Sequence, residues 1–361
     1  MRIGFVSFSG LTYDTSTPYK KPMGGSESAL CYLASEMAKN GHEVTLFTPL
    51  HKESKTLGVN CLPQEKIFSL LTALDVLVVQ NSPNQGYPIS LSAPKNLKIV
   101  LWTQHDSDQP AVQSLADPAL VKSFDGYVFI SEYQKKNYLK KFKINPKKCV
   151  ILRNAISPVF ENLFEKGEST LSKKSDPPIL AYTSTPYRGL NLLIQFFPSI
   201  RMIKKDVQLK VFSSLAVYQV PRATDEKKYG GLYFSCRQTK GVKYLGSISQ
   251  PKLAKELVKT SILAYPNTFP ETSCIAVMEA MAAGCFIVTS RLGALPETTA
   301  GFAKLIDVDG DWQRYGNLFI KEILAFLYEP KDLSPQVEYV NKHYTWKIRA
   351  KEWEKWLKTL K

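Results

Sequence analysis

The chain has 361 residues, 44% of them apolar and 22% charged, with a formal net charge of +15. That length suits two domains with separate cores, and the balance is that of a globular rather than a disordered chain. No apolar run reaches the roughly 20 residues of a membrane-spanning helix, so a cytoplasmic, unprocessed protein is expected.

The first half alternates strands with helices. RIGFVSF reads as a strand and is followed by a Gly-rich loop. SESALCYLASEMAKNGHE reads as a helix, with Leu30, Leu33, Ala34 and Met37 at helical spacing and Gly41 as its stop. EVTLFT, DVLVVQ, KIVLWT, GYVFIS and CVILRN are further strands. The polar run Glu161–Pro178 reads as a linker. The alternation then restarts with PILAYTS, a helix from about Leu190, QLKVFSS, VKYLGSI, a helix through LAKELVK, SILAYPN, CFIVTS and AKLID. The end, YTWKIRAKEWEKWLKTL, reads as a helix whose Trp346, Trp353 and Trp356 must dock on something. The expected boundaries are residues 1–160 for the N-terminal domain, 161–178 for the linker, 179–343 for the C-terminal domain and 344–361 for the last helix. Strands alternating with helices give α/β units with parallel sheets, whose ligand crevices lie at the strand ends and would face each other across a cleft.

The six cysteines form no CxxC pair and no cluster with zinc spacing. DVDGD at 307–311 opens like a calcium loop, but Leu318 stands where the twelfth-position glutamate belongs. Asp106 and Asp108 form a DxD triplet, too short to assign alone. The excess of positive charge calls for an anionic partner. Lys135, Lys136, Lys140, Lys141, Lys143, Lys147 and Lys148 make the densest patch, readable as a solvated face or as a peripheral contact with anionic lipid. No nucleic-acid-binding signature occurs, so no nucleic-acid partner is expected.

Three places offer chemistry. Gly24 and Gly25 precede Ser26, a possible cap, at a helix start where backbone can approach an anion, although the same residues suit an ordinary turn. His105 follows the strand KIVLWT, at the end where doubly wound folds place function. PETSCIAVMEAMAAG holds Glu271 before a helix and Glu279 near its second turn, with Thr272 or Ser273 as the expected cap. Glu271 could simply favour the helix dipole. Glu279, among apolar residues, needs partners such as sugar or ribose hydroxyls. The amides of Ser273, Cys274 and Ile275 would be free for a phosphate.

The pair of glutamates with seven residues between them, followed by FIVTSRLGALPE, resembles the retaining GT-B glycosyltransferases of family four. GGSESALCYLASEMAKNGHEVTLFT, SEYQKKNYLKKFKINPKKCVILRNAISPVF and VKYLGSISQPKLAKELVKTSILAYPN add to the likeness in the family's order. The resemblance implies two Rossmann-like domains, with the last helix crossing back to the N-terminal one. It implies a nucleotide-diphosphate-sugar donor, a carbohydrate or lipid-linked acceptor, and no metal or other cofactor. By position, Glu271 would contact sugar hydroxyls, Glu279 the ribose, and the amides after Glu271 with the Gly24–Gly25 loop the diphosphate. His105 falls beside the donor sugar. Arg188 takes the family's lysine position in YTSTPYRGLNLL, but Thr183 stands in place of its arginine, so either another cation, Lys240 or Lys243, compensates or activity is low. NAIS at 154–157 replaces the family's Asn-Gly-Val-Asp in a strand-end turn. A GT-B sugar-nucleotide epimerase, or a non-catalytic protein that binds sugar nucleotides, is the alternative.

Overall fold

A computed structural model describes residues 1–360. The chain divides into two compact units. The first comprises Met1–Pro18, Gly25–Ala155 and the chain from Trp346 onward; the second comprises Tyr19–Gly24 and Ile156–Thr345.

The first unit is built on strands β1 (Arg2–Ser7), β2 (Glu43–Thr48), β3 (Ser54–Thr56), β4 (Val59–Pro63), β5 (Val76–Gln80), β6 (Lys98–Trp102), β7 (Gly126–Phe129) and β8 (Cys149–Ile151). They form one sheet in the order β3-β4-β2-β1-β5-β6-β7-β8. Every pairing is parallel except the β3–β4 hairpin. The sequence does not announce that hairpin. Its two-residue turn puts both Leu57 (φ 50°) and Gly58 (φ 82°) in the left-handed region, and leucine is a poor signal for such a turn. All of β5 is buried, as expected for a strand covered on both faces by crossover helices.

The last helix, Trp346–Leu357, belongs to this first unit. Trp346 packs against Tyr32 at 6.3 Å between ring centroids, and Trp353 meets Trp102 edge-on at 5.2 Å. Trp356 lies where Gly126 leaves room: a Cβ there would sit 2.7 Å from the indole. All three tryptophans therefore anchor the helix on its own unit.

The second unit has β9 (Ile179–Tyr182), β10 (Gln208–Val211), β11 (Val242–Tyr244), β12 (Ile262–Tyr265), β13 (Phe286–Ser290) and β14 (Ala303–Ile306). All are parallel, in the order β11-β10-β9-β12-β13-β14. The order reverses between β9 and β12, the position where doubly wound sheets open a crevice. The helices Arg222–Gln238, Trp312–Tyr328 and Ser334–His343 are additions to the expected elements. The acidic run at 307–311 starts one of them: the Asp311 carboxylate accepts from the Gln313 and Arg314 amides at 3.1 and 2.9 Å.

The stretch read as a linker packs into the second unit. Thr170 donates its amide and hydroxyl to Asp332 at 2.8 and 2.9 Å, and the Lys174 ammonium reaches the Val258 and Ala283 carbonyls. Among the described residues no helix is long and apolar enough to cross a membrane.

Candidate functional site

The loop after β12 is shaped by Asn267. Its side chain bonds the Phe269 carbonyl at 2.5 Å and the Phe269 amide at 3.0 Å, and its own carbonyl accepts from Ser290 Oγ. This tight loop delivers Phe269, Pro270 and Glu271 to the C-terminal edge of the sheet. The loop after β9 comes from the adjacent strand, with its Thr185 carbonyl held by the Tyr182 hydroxyl at 2.8 Å. It carries Arg188.

The two loops meet in an ion pair. Arg188 Nη1 lies 2.7 and 2.9 Å from the two Glu271 carboxylate oxygens, and the Tyr265 hydroxyl donates to Glu271 Oε1 at 2.7 Å. Glu271 is buried, whereas the Arg188 side chain keeps 21% of its exposure. The guanidinium also lies 4.5 Å from the Phe269 ring centroid. Burial is the largest single influence and works against the arginine's charge, but Glu271 together with Tyr265, Tyr218 and Tyr187 outweighs it and raises the Arg188 pKa. Burial, reinforced by Glu271, raises the Tyr265 pKa, so its phenol keeps the proton it donates.

Two glycines permit this meeting. Gly189 has φ 105°, and a Cβ there would stand 2.0 Å from the Pro266 carbonyl oxygen. Gly293 has φ 60°, and a Cβ there would stand 2.4 Å from the Glu271 carbonyl. Any other residue at either position would push one partner away. Their glycine identity was the available signal, but only the fold shows what they face.

The helix after Glu271 runs Ile275–Ala282, with Cys274 at the cap position and no side-chain cap bond. It starts later than a Thr272 or Ser273 cap would place it, because Cys274 already has extended geometry. Its first N–H groups lack intrahelical partners. Ser273 Oγ and Arg188 Nε are buried beside it without hydrogen-bond partners. Orphaned donors at a helix start suit an anion.

Glu279 sits deeper, on the second turn of that helix. It is fully enclosed, and its Oε1 accepts from the Ser157 amide at 3.2 Å. Burial pushes its pKa up to about 8, while the Ser157 amide and the Gln250 side chain pull the other way.

The remaining expected positions take no part in the Arg188–Glu271 contacts. Thr183, half-buried, follows the end of β9. Lys243 lies in the middle of edge strand β11, exposed and level with Lys210, and Lys240 is also exposed. Neither lysine is paired with the Arg188–Glu271 pair, so the expected compensating cation is not at this pair. Gly24 gives its amide to the Val217 carbonyl at 3.0 Å, which removes that N–H from a diphosphate role. Gly25 is the first residue of the helix Gly25–Lys39, so Ser26 lies inside its first turn rather than capping it.

In the first unit, His105 lies beyond β6, and its carbonyl accepts from Gln134 Nε2 at 2.7 Å and the Tyr138 hydroxyl at 3.0 Å. Burial lowers its pKa despite a bond to Gln109, favouring the neutral ring. Asp106 is occupied by the Asn137 amide at 2.9 and 3.1 Å, which gives half of the DxD triplet a structural task.

Residues 177–313 match the family model Glycosyl transferases group 1. The matched residues include Arg188, Glu271 and Glu279, so the cluster described above lies inside the matched segment. A search of curated proteins gives no significant match. Among solved structures, a glycosyltransferase from Rickettsia africae superposes with a TM-score of 0.73 at 14% identity, over 99% of this chain and 98% of that one. Sucrose-phosphate synthase from Thermosynechococcus elongatus gives 0.70 at 16% identity, over 100% and 99% of the two chains. Anabaena HepE in complex with UDP and glucose gives 0.70 at 14%, over 99% and 100%. At such identities the likeness carries the fold, which is GT-B.

Proposed function

We propose that this chain is a glycosyltransferase that moves a sugar from a nucleotide-diphosphate donor to an acceptor hydroxyl of a glycan, glycolipid or lipid-linked saccharide. Anomeric configuration is retained, and neither metal nor other cofactor takes part. The observation that carries the proposal is the Arg188–Glu271 pair at the start of helix Ile275–Ala282, with Arg188 Nε and Ser273 Oγ left as buried donors. A diphosphate would satisfy those donors and the amides of Ser273, Cys274 and Ile275. Glu271 and His105 orient the sugar, and Glu279 contacts the ribose. The acceptor hydroxyl attacks the anomeric carbon on the face from which the diphosphate departs. The carbon–oxygen bond to phosphate breaks as the new glycosidic bond forms, and the hydroxyl proton passes to the departing phosphate oxygen.

The test is nucleotide release from UDP-, GDP-, ADP- and TDP-sugars. One donor should be hydrolysed slowly, and Glu271→Ala should lower that rate about 10²-fold through lost positioning. Equal rates in both proteins would refute the role of Glu271. The commitment of Arg188 to Glu271 also favours a second reading, a chain that binds sugar nucleotides without turning them over. Calorimetry showing tight binding of one donor without release, even when acceptors are supplied, would establish it.

The proposal extends to a cytoplasmic location with peripheral contact at an anionic membrane through the lysines of helix Glu132–Lys141 and its following turn. Lys141 donates to the Ser107 carbonyl at 2.9 Å and Lys148 to the Phe124 carbonyl at 2.8 Å, so both help to hold the fold. Lys136, Lys140, Lys143 and Lys147 are exposed, with Lys135 half-buried beside them. Each lysine near anionic lipid contributes about 1 kcal/mol. The chain should sediment with anionic vesicles and not with neutral ones, and reversing Lys140, Lys143 and Lys147 to glutamate should abolish this. Equal sedimentation with both vesicle types would reject the contact.

A further inference from the structure

The sheet of the second unit has a second opening at its other end. Pro178, Ser261 and Gly284 stand just before β9, β12 and β13 and line a cavity of about 290 Å³. The Arg188–Glu271 pair follows the opposite, C-terminal ends of the strands. The volume lies at the small end of the roughly 300–1,000 Å³ usual for small-molecule sites.

Three lysines line this cavity, Lys174, Lys204 and Lys331, against a single carboxylate, Asp176. Phe326, Leu327 and Leu333 supply apolar wall. Lys174 is the most enclosed of the cations. Its ammonium donates to the Val258 carbonyl at 3.1 Å and the Ala283 carbonyl at 2.8 Å, at the C-terminal ends of two helices, and the Phe164 ring lies 5.8 Å away. Among the described residues it makes no ion pair. Burial correspondingly pulls its pKa below the ordinary lysine value, with the nearby Cys285 acting the other way. Lys204 has only a distant partner, Asp206 at 3.8 Å. Capping two helix ends explains the bonds of Lys174. It does not explain why two further lysines surround the same half-apolar cavity. Three lysines facing a single carboxylate leave an excess of positive charge around the cavity, and an anion entering here would relieve their mutual repulsion.

We propose that this cavity binds a small, single-tailed organic anion, with its carboxylate or phosphate head on Lys174, Lys204 and Lys331 and its tail against Phe326, Leu327 and Leu333. The segment Thr170–Pro178, clamped through Thr170 to Asp332, forms one wall of that site.

Calorimetry on the full chain with octyl phosphate tests this, with octanol and inorganic phosphate as separate arms. Octyl phosphate should bind at one site, at least tenfold more tightly than either fragment. The double variant Lys204→Glu/Lys331→Glu, which changes partly or fully exposed residues, should weaken that binding at least tenfold and leave the melting temperature unchanged. Lys174→Met should weaken it further if the variant folds; the double variant decides the matter if it does not. Absence of saturable binding, equal affinity for octanol, or an unchanged affinity in the double variant would overturn the proposal. So would displacement by a nucleoside diphosphate, which would put the ligand at the Arg188 end of the sheet.

Discussion

Replacing Arg188 by methionine should lower turnover about 10²–10³-fold, the usual loss when a preorganised group facing developing charge is removed. The same change should destabilise the chain by about 3 kcal/mol. The second effect arises from what remains. Glu271 is 3% exposed and would keep the Tyr265 hydroxyl while losing both contacts to the guanidinium. A buried carboxylate stripped of its cation is costly, and the remaining exposure of Arg188 keeps the loss toward the low end of the range for buried pairs. The double variant Arg188→Met/Glu271→Gln separates the two effects. Neutralising both partners removes the unpaired charge, so most of the stability should return. Turnover should not, because the cation facing the diphosphate and the carboxylate facing the sugar are then both missing. Denaturant melts and nucleotide release on the wild type, both single variants and the double variant form the required cycle. If turnover recovered along with stability, Arg188 would be a structural partner of Glu271 and nothing more.

The pair itself shows the limit of sequence reading. Arg188 and Glu271 could each be marked by motif, but they are separated by 83 positions, and nothing local couples them. Their contact follows from β9 and β12 being neighbours where the strand order reverses. The strand–helix alternation made the parallel architecture legible, because apolar runs such as VLVVQ have few other uses. The Leu57–Gly58 hairpin escaped because leucine occupies a conformation that normally advertises itself with asparagine or glycine. The helix Arg222–Gln238 escaped for a different reason. It carries Gly230 and Gly231 in its interior and buries only Asp225, Tyr233 and Cys236, so its apolar face is too sparse to read. The Asp307–Asp311 run was legible as unsuited to calcium, and its actual use as a helix start was available in the Asp311 side chain.

Glu279→Gln should stabilise the protein near neutral pH by an amount that disappears in acid. Burial raises this carboxyl from the ordinary 4.5 to about 8, so the folded state holds a proton there that the unfolded chain has already released. Between those two values the folded state binds more protons than the unfolded one. Stability therefore falls as pH rises through that window, and it is fully retained below about 4.5. A glutamine has no proton to lose. Its carbonyl can still accept from the Ser157 amide, and its NH₂ can donate to Gln250 Oε1, which is buried without a partner. The expected gain is on the order of 3 kcal/mol at pH 7, shrinking toward zero near pH 4.5. Thermal melts of both proteins across pH 4–8 would show the two curves diverging upward from acid. Parallel curves would mean that Glu279 is ionised and compensated in the folded state. The same variant tests the proposed ribose contact independently. Glutamine preserves the size of the side chain but puts an amide NH₂ where the carboxyl has a hydroxyl, so a ribose contact predicts a raised donor KM with little change in kcat. An unchanged KM would confine Glu279 to holding Ser157.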